Sequence, residues 1–131
     1  MKLFLNFFDT LAKLGPGSVE STKKALSMTI ALCEGTDMEF TALDNRQAVL
    51  DVLEKEAVKA GFTERITSVL GDMNEMDYDA ESYDMIWCEG AIFITGFENG
   101  VTKWKKFLKQ GGYICLSELA WLGDERPDEA V

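Results

Sequence analysis

Apolar residues recur at helical spacing from the start of the chain. Leu3, Phe4, Phe7, Phe8 and Leu11 predict a helix across residues 3–13, stopped by Gly15-Pro16-Gly17. Ser18 is a suitable N-cap, and Glu20 lies in the first turn, where the helix dipole favours a carboxylate. From there Val19, Leu26, Ile30 and Cys33 keep a helical stripe until Gly35. Residues 39–43 alternate as a short strand ending at Asp44. A second clear helix follows over 46–60, with Val49, Val52, Leu53 and Val58 on one face, Asp51 four before Lys55, and Gly61 as its stop. Strands are predicted at 65–70, 83–88 and 113–116, and a helix at 98–109 with Val101, Trp104, Phe107 and Leu108 inward. Ala91 to Ile94 extends the 83–88 strand or begins a turn, and Gly111-Gly112 breaks the last helix. The tail, Gly123 to Val131, is charged, contains Pro127 and is expected to be loose.

Strands alternating with helices indicate an α/β domain, Rossmann-like, with a mainly parallel sheet flanked by helices. No internal repeat and no linker divides the chain. It reads as a single domain over 1–131, with 1–35 an N-terminal helical segment.

Composition narrows the chemistry. The 131 residues include 13 Lys and Arg, 23 Asp and Glu and no histidine, for a net charge of −10. Without histidine there is no Ser-His-Asp or Cys-His triad, no histidine base and no histidine-ligated metal, and no metal site is expected. The negative balance argues against nucleic acid, whose affinity comes largely from Lys and Arg on phosphates. Cys33, Cys88 and Cys115 are widely spaced without a C-x-x-C pair, which reads as reduced thiols in a core. The N-terminal apolar run is interrupted at Asn6 and Asp9, with no small-residue cleavage site after it. No stretch approaches membrane-spanning length. The expectation is a cytoplasmic protein that engages no membrane.

In open α/β sheets, ligands bind beyond the carboxyl ends of the strands. Three such ends carry acids or glycines: Leu43-Asp44-Asn45, Leu70-Gly71-Asp72-Met73 and Trp87-Cys88-Glu89-Gly90-Ala91. An acid at Asp44 can accept both hydroxyls of a ribose. Asp72 can accept from an exocyclic amine, with Met73 and Ala91 as apolar walls for a flat ring. Each acid taken singly also suits a helix cap or a solvated turn; the ordered set of three favours a ligand. No basic residue lies between Arg65 and Lys103, while Asp72, Glu75, Asp77, Asp79, Glu81, Asp84, Glu89 and Glu98 do. That stretch favours a cationic ligand over a phosphate-rich one. The lysines at 103, 105, 106 and 109 read most simply as a solvated helix face near a C-terminal dipole.

The runs Phe-Thr-Ala-Leu-Asp44-Asn45, Gly71-Asp72-Met73, Tyr83 through Ala91, and Trp104-Lys-Lys-Phe-Leu-Lys-Gln-Gly-Gly112-Tyr resemble class I S-adenosylmethionine-dependent methyltransferases. The closer likeness is to the small-molecule branch, methyltransferase types 11 and 25, over roughly residues 36–123. The Leu14-Gly-Pro-Gly-Ser18 segment resembles what precedes the first strand in that branch. The resemblance implies S-adenosylmethionine as cofactor and a small-molecule methyl acceptor as partner. It implies Asp44, with Asn45 beside it, on the ribose hydroxyls, and Asp72 with Met73 on the adenine. Glu89 and Gly90 would lie beside the methionine part and the acceptor, with Glu89 the candidate base and Ala91 among the cofactor-binding residues. In the family an N-terminal helix can cover the cofactor, a role open to the segment carrying Phe4, Phe7 and Phe8.

One family feature is absent. The family's first strand ends in an acid followed by a Gly-x-Gly-x-Gly loop, expected here between Met28 and Ile30, where the helical stripe instead continues. The chain therefore reads as lacking the first strand and its loop, and it ends at Val131 before the family's later strands. It is either a reduced form or a shortened version of a longer protein. Without that central strand, the strands at 39–43 and 83–88 would pair directly, or edges would pair between copies. A homodimer or other homo-oligomer is expected on that ground. Two functions follow: methyl transfer to a small molecule, or a non-catalytic methyltransferase-like remnant acting as an interaction or assembly module with weak or no cofactor binding. Nicotinamide dinucleotide binding ranks lower, because its Gly-x-Gly-x-x-Gly turn is also absent.

Overall fold

The computed structural model describes residues 2–6 and 19–118, with side chains described at Lys2 and from Ser27 onward. Five strands form one parallel sheet: β1 (Lys2–Asn6), β2 (Glu39–Asp44), β3 (Ile66–Leu70), β4 (Tyr83–Glu89) and β5 (Leu108–Ser117), in the order β3-β2-β1-β4-β5. Helices α1 (Val19–Gly35), α2 (Gln47–Ala60) and α3 (Phe97–Trp104) connect them, with short 3₁₀ turns at Thr63–Arg65, Ile92–Ile94 and Lys105–Phe107.

The central place in the sheet belongs to β1, which overturns the helix expected over 3–13 where the structure describes it and the idea of a missing first strand. Lys2 to Asn6 pairs with Glu39 to Leu43 on one side, and Leu3 to Asn6 pairs with Met85 to Cys88 on the other. The physical reason lies in Leu3-Phe4-Leu5. A short unbroken apolar run fits a strand buried between two neighbours as well as it fits one face of a helix. Because β1 separates β2 from β4, those strands do not pair directly. The remainder of the expected helix, residues 7–13, lies outside the described residues, as do Gly15-Pro16-Gly17 and the tail from Gly123.

The other elements follow their sequence signals closely. Helix α2 ends at Gly61, whose φ of 78° is left-handed. There the Gly61 N–H donates to Val58 and the Phe62 N–H to Ala57, closing the last turn. Helix α1 has no basic residue in its own last turn. Arg65 substitutes, donating from Nη1 to the Cys33 carbonyl at 2.7 Å and from Nε and Nη2 to the Met38 carbonyl at 2.9 and 2.6 Å. A guanidinium at this end satisfies orphan carbonyls and complements the dipole.

The expected 98–109 helix is shorter, and Gly111-Gly112 does not break it. Helix α3 tightens after Trp104, and the chain is already a strand at Leu108, opposite Tyr83. The glycines form an irregularity within β5, between the Tyr83–Leu108 and Met85–Tyr113 pairs. Gly111 has φ 80°, and a Cβ on Gly112 would meet the Asp84 and Lys109 carbonyls at 3.0 Å. The backbone there strongly favours glycine.

Each face of the sheet has its own core. On one, Phe40, Ala42 and Ile66 pack with Cys33, Leu50 and Leu53 of α1 and α2. On the other, Leu43, Ile86 and Cys88 pack with Ile92, Trp104 and Phe107. Alternation within β2 and β4 assigns successive residues to opposite cores. Burying both faces explains the near-continuous apolar strands. Burial raises the pKa of the Cys33 thiol. It also pushes the Tyr78 phenol up to about 12, helped by neighbouring Tyr83, whose ring meets it edge-on at 5.5 Å. Among the described residues no helix is long and apolar enough to cross a membrane.

Candidate functional site

The strand order places the topological switch at β1. The chain runs outward through β2 and β3 on one side and through β4 and β5 on the other, so a crevice opens at the carboxyl ends of the central strands. The three acidic turns all reach this edge. Asn6 pairs with Leu43 and Cys88, so the ends of β2 and β4 flank it two strand spacings apart, roughly 10 Å.

On the β2 side, Asp44 is 4% exposed. Its Oδ1 accepts from the Arg46 main-chain N–H at 2.9 Å and from Arg46 Nε at 3.2 Å. Its Oδ2 accepts from Arg46 Nη2 at 3.4 Å. The guanidinium thus covers both oxygens expected to face a ligand. The Asp44 carbonyl accepts from the Gly71 N–H at 3.0 Å, which ties the β2 end to the β3 turn. A Cβ on Gly71 would lie 3.1 Å from Leu43 Cδ1, so this approach is close. Asn45 is exposed.

Asp72 is exposed and uses Oδ1 to hold its own turn, accepting from the Asn74 N–H at 2.7 Å and from Asn74 Nδ2 at 2.9 Å. Its Oδ2 makes no hydrogen bond among the described residues. Met73 is buried in the α3-side core, and its carbonyl accepts from Trp104 Nε1 at 3.4 Å. It therefore serves the core as well as any wall of the crevice.

On the β4 side, Glu89 is exposed at the strand end, in register with Ser117. Gly90 has φ 62°. Its N–H donates to the Ser117 carbonyl at 3.1 Å and to Ser117 Oγ at 2.9 Å. Ala91 is fully buried. The structure therefore brings Asp44, Asn45 and Asp72 to one half of the edge and Glu89, Gly90 and Ala91 to the other.

Three contributors escape sequence reasoning. Arg46 has no periodic signal for where its guanidinium goes. Ser117 lies 27 residues from the turn it holds. Asn6 ends a strand whose pattern also suits a helix. The region expected to hold a glycine loop, Met28 to Ile30, is the interior of α1 with Thr29 fully buried. By topology the connection from β1 to α1 is residues 7–18, which contain Gly15-Pro16-Gly17 and lie outside the described residues.

Among the described residues no group of three or more Cys, Asp or Glu side chains is placed to hold a metal. A polar cleft of about 250 Å³ lined by Lys2, Thr41, Thr67 and Tyr83 sits at the opposite, amino-terminal edge of the sheet, away from the acidic turns.

Sheet order, acidic strand ends and the β4 turn together define a methyltransferase-type Rossmann domain. Residues 24–112 match the methyltransferase domain family, and the chain belongs to it. It is similar to the sterol 24-C-methyltransferase of Debaryomyces hansenii, 26% identical over 99 residues that cover 75% of this chain and 26% of that protein. The chain thus spans about a quarter of the length of the curated relatives it matches. Among solved structures, a SAM-dependent methyltransferase from Thiobacillus denitrificans, in complex with S-adenosyl-L-homocysteine, superposes with a TM-score of 0.67 at 20% identity, over 88% of this chain and 40% of that one. The 4+2 cyclase SpnF superposes with a TM-score of 0.70 at 14% identity, over 94% of this chain and 42% of that one. The last likeness shows that the fold alone does not set the reaction.

Proposed function

We propose that this chain is the cofactor-binding part of an S-adenosylmethionine-dependent methyltransferase acting on a small-molecule acceptor. The observation that carries this reading is the pair of linked turns on the β2 side. A buried carboxylate at Asp44 is held one hydrogen bond from the Asp72 turn, whose Oδ2 is open to a donor. That pairing suits a nucleoside: Asp44 accepts from the ribose hydroxyls, with Asn45 beside it, and Asp72 accepts from the exocyclic amine of adenine, with Met73 behind. For this, the Arg46 guanidinium must swing away from Asp44 when the ribose arrives. Glu89 and Gly90 take the methionine side, and Ala91 is an apolar wall for the ring.

The residues present fit such a group. The carboxylates Glu89 and Glu98 and the run without basic residues from 66 to 102 set a negative field suited to a sulfonium. When bound, the cofactor would supply an activated methyl group for in-line transfer to the acceptor. This chain's share is to orient the two partners, which is where most of the acceleration in such a transfer arises. Glu89, exposed at the rim, takes the proton an acceptor N–H or O–H releases.

A single domain over 1–131 and a cytoplasmic location belong to the same reading, the latter supported by Cys33, Cys88 and Cys115 being free thiols. Homo-oligomerisation loses the argument from a missing central strand. Its remaining support is the outer edge of β5, ten residues long, with no further strand beside it among the described residues.

Calorimetric titration with S-adenosylhomocysteine tests the proposal and is expected to saturate. No heat and no thermal shift at millimolar ligand would favour the non-catalytic assembly module instead. Light scattering tests the oligomer, a mass of 14.6 kDa counting against it.

A further inference from the structure

The polar cleft at the amino-terminal edge lies on the α3 side of the sheet, and strand register explains its chemistry. Phe40 and Ile66, paired across β2 and β3, pack into the α1–α2 core, so the next pair, Thr41 and Thr67, faces the other way. Two residues further along, the same face carries the apolar pair Leu43 and Val69 against the α3-side core. The floor of the cleft is therefore where that face changes from hydrocarbon to hydroxyl. Thr41 Oγ1 accepts from the Tyr83 hydroxyl at 3.3 Å rather than from its cross-strand partner. Thr67 Oγ1 makes no hydrogen bond among the described residues.

The walls are fixed. Tyr83 is buried, and the Tyr78 ring stands edge-on to it at 5.5 Å and to Phe107 at 5.7 Å. Ser82 Oγ donates to the Asp79 carbonyl at 2.7 Å, and the Ser82 N–H to the Phe107 carbonyl at 2.9 Å. With its pKa at about 12, the Tyr78 phenol stays neutral at physiological pH.

Charge at the rim selects further. Lys2 and Arg65 are the cations of the lining, and both are engaged. Lys2 Nζ lies 4.0 Å from Glu39, and the Arg65 guanidinium is committed to the Cys33 and Met38 carbonyls. Glu39, Glu64 and Asp79 complete the rim, so an entering anion would face three carboxylates with neither cation released. A neutral polyol meets matching partners instead, because each of its hydroxyls both donates and accepts, and its C–H surface suits a fixed aromatic ring. The volume of about 250 Å³ lies just below the range of drug-sized pockets and suits one small ring.

We infer that this cleft is a second binding site, separate from the carboxyl edge, and that it takes an uncharged cyclic polyol the size of a single sugar ring.

Four probes of one ring size test this: myo-inositol, D-glucose, D-glucuronate and protonated D-glucosamine. Each is titrated into the full isotope-labelled chain while amide resonances are followed. Saturation by either neutral probe is expected, with shifts centred on 39–41, 64–67 and 78–83 and with glucuronate at least tenfold weaker. Thr67→Val keeps the strand shape and removes one floor hydroxyl. It should weaken the neutral probe at least threefold while S-adenosylhomocysteine affinity stays within twofold. Thr41→Val is the second variant should the first lose its circular dichroism spectrum, and the same weakening is expected. No saturation by either neutral probe at tens of millimolar overturns the inference, as does equal binding of glucuronate or unchanged affinity in the variants. Glucosamine binding at least tenfold more tightly than glucose also overturns it, since the carboxylates alone would then set recognition. Failure of S-adenosylhomocysteine to bind while a neutral probe still does would count against the methyltransferase reading and leave this cleft standing.

Discussion

The two halves of the carboxyl edge are built on opposite principles. On the β2 side the chemistry lies in carboxylates that are already engaged: Asp44 by Arg46, and one oxygen of Asp72 by Asn74. On the β4 side it lies in a fixed main chain. Gly90 is pinned twice to Ser117, with Glu89 exposed at the strand end before it and apolar side chains exposed in the turn beyond. A ligand on the first half must displace a protein partner, so its affinity is a difference between two sets of hydrogen bonds. A ligand on the second half adds contacts to a surface already in place and spends little on ordering it. Side-chain substitutions should therefore dominate on one half and backbone substitutions on the other.

The largest effect is expected at Asp44. Asp44→Ala removes the carboxylate that accepts from the ribose and separates the Arg46 guanidinium from that carboxylate. Losing charge-assisted hydrogen bonds at a buried site costs about 2 kcal/mol of stability. Affinity for S-adenosylhomocysteine should fall at least tenfold, read by calorimetry on protein whose circular dichroism is intact. Unchanged affinity would remove Asp44 from the site and with it the contrast between the halves.

Arg46→Met is the sharper probe, because it moves affinity and stability in opposite directions. If the guanidinium competes with the ribose, its removal should tighten S-adenosylhomocysteine severalfold. Stability should drop by about 1 kcal/mol as the partly exposed ion pair is lost. The Arg46 main-chain N–H still donates to Asp44 in this variant, so the carboxylate stays oriented. Affinity falling together with stability would show that Arg46 supports the ligand rather than competing with it.

How far such residues can be read from sequence depends on how their position is encoded. The ends of β2, β3 and β4 are legible because an apolar strand giving way to Asp, Gly-Asp or Glu-Gly is a local pattern, and so Asp44, Asp72 and Glu89 fall on one edge as the spacing predicts. Helices α1 and α2 are legible through periodicity and their closing glycines. Strand β1 is not, because Leu3-Phe4-Leu5 becomes a strand only by virtue of β2 and β4 on either side of it. Gly111-Gly112 carries the mark of a helix breaker yet serves a strand irregularity, which the close approach of the Asp84 carbonyl dictates from 28 residues away in sequence. Long-range pairing decides both cases, and it leaves no trace in a window of a dozen residues.

On the β4 half the corresponding test is a single methyl group. Gly90→Ala puts a Cβ on a residue at φ 62°, which costs about 1 kcal/mol. The turn would relax away from Ser117, and S-adenosylhomocysteine should weaken by threefold to tenfold, less than for Asp44→Ala. A Gly90→Ala protein of wild-type stability and affinity would show that the main chain here is not fixed by its conformation.

The smallest effect at neutral pH belongs to a carboxylate outside both halves. Asp84 sits at the amino-terminal edge, where its Oδ2 accepts from the Lys2 main-chain N–H at 2.7 Å and from Lys109 Nζ at 2.9 Å. Those two donors, the main-chain one foremost, hold its pKa below the ordinary value of 3.8. A carboxylate depressed on folding contributes stability that is complete above its unfolded pKa and is lost as pH falls through the folded one. The window therefore lies below about pH 4. Asp84→Asn lacks the ionised form at every pH, so the stability gap between wild type and variant should narrow as urea midpoints are followed from about pH 6 into that acid range. Parallel midpoints across the range would mean that the clamp joining β1 and β5 contributes nothing through ionisation. Affinity for S-adenosylhomocysteine should be the same in both proteins at neutral pH, because the clamp lies at the far end of the strands. A change there would mean that β1 transmits strain along its length, and the two halves of the carboxyl edge would no longer be independent.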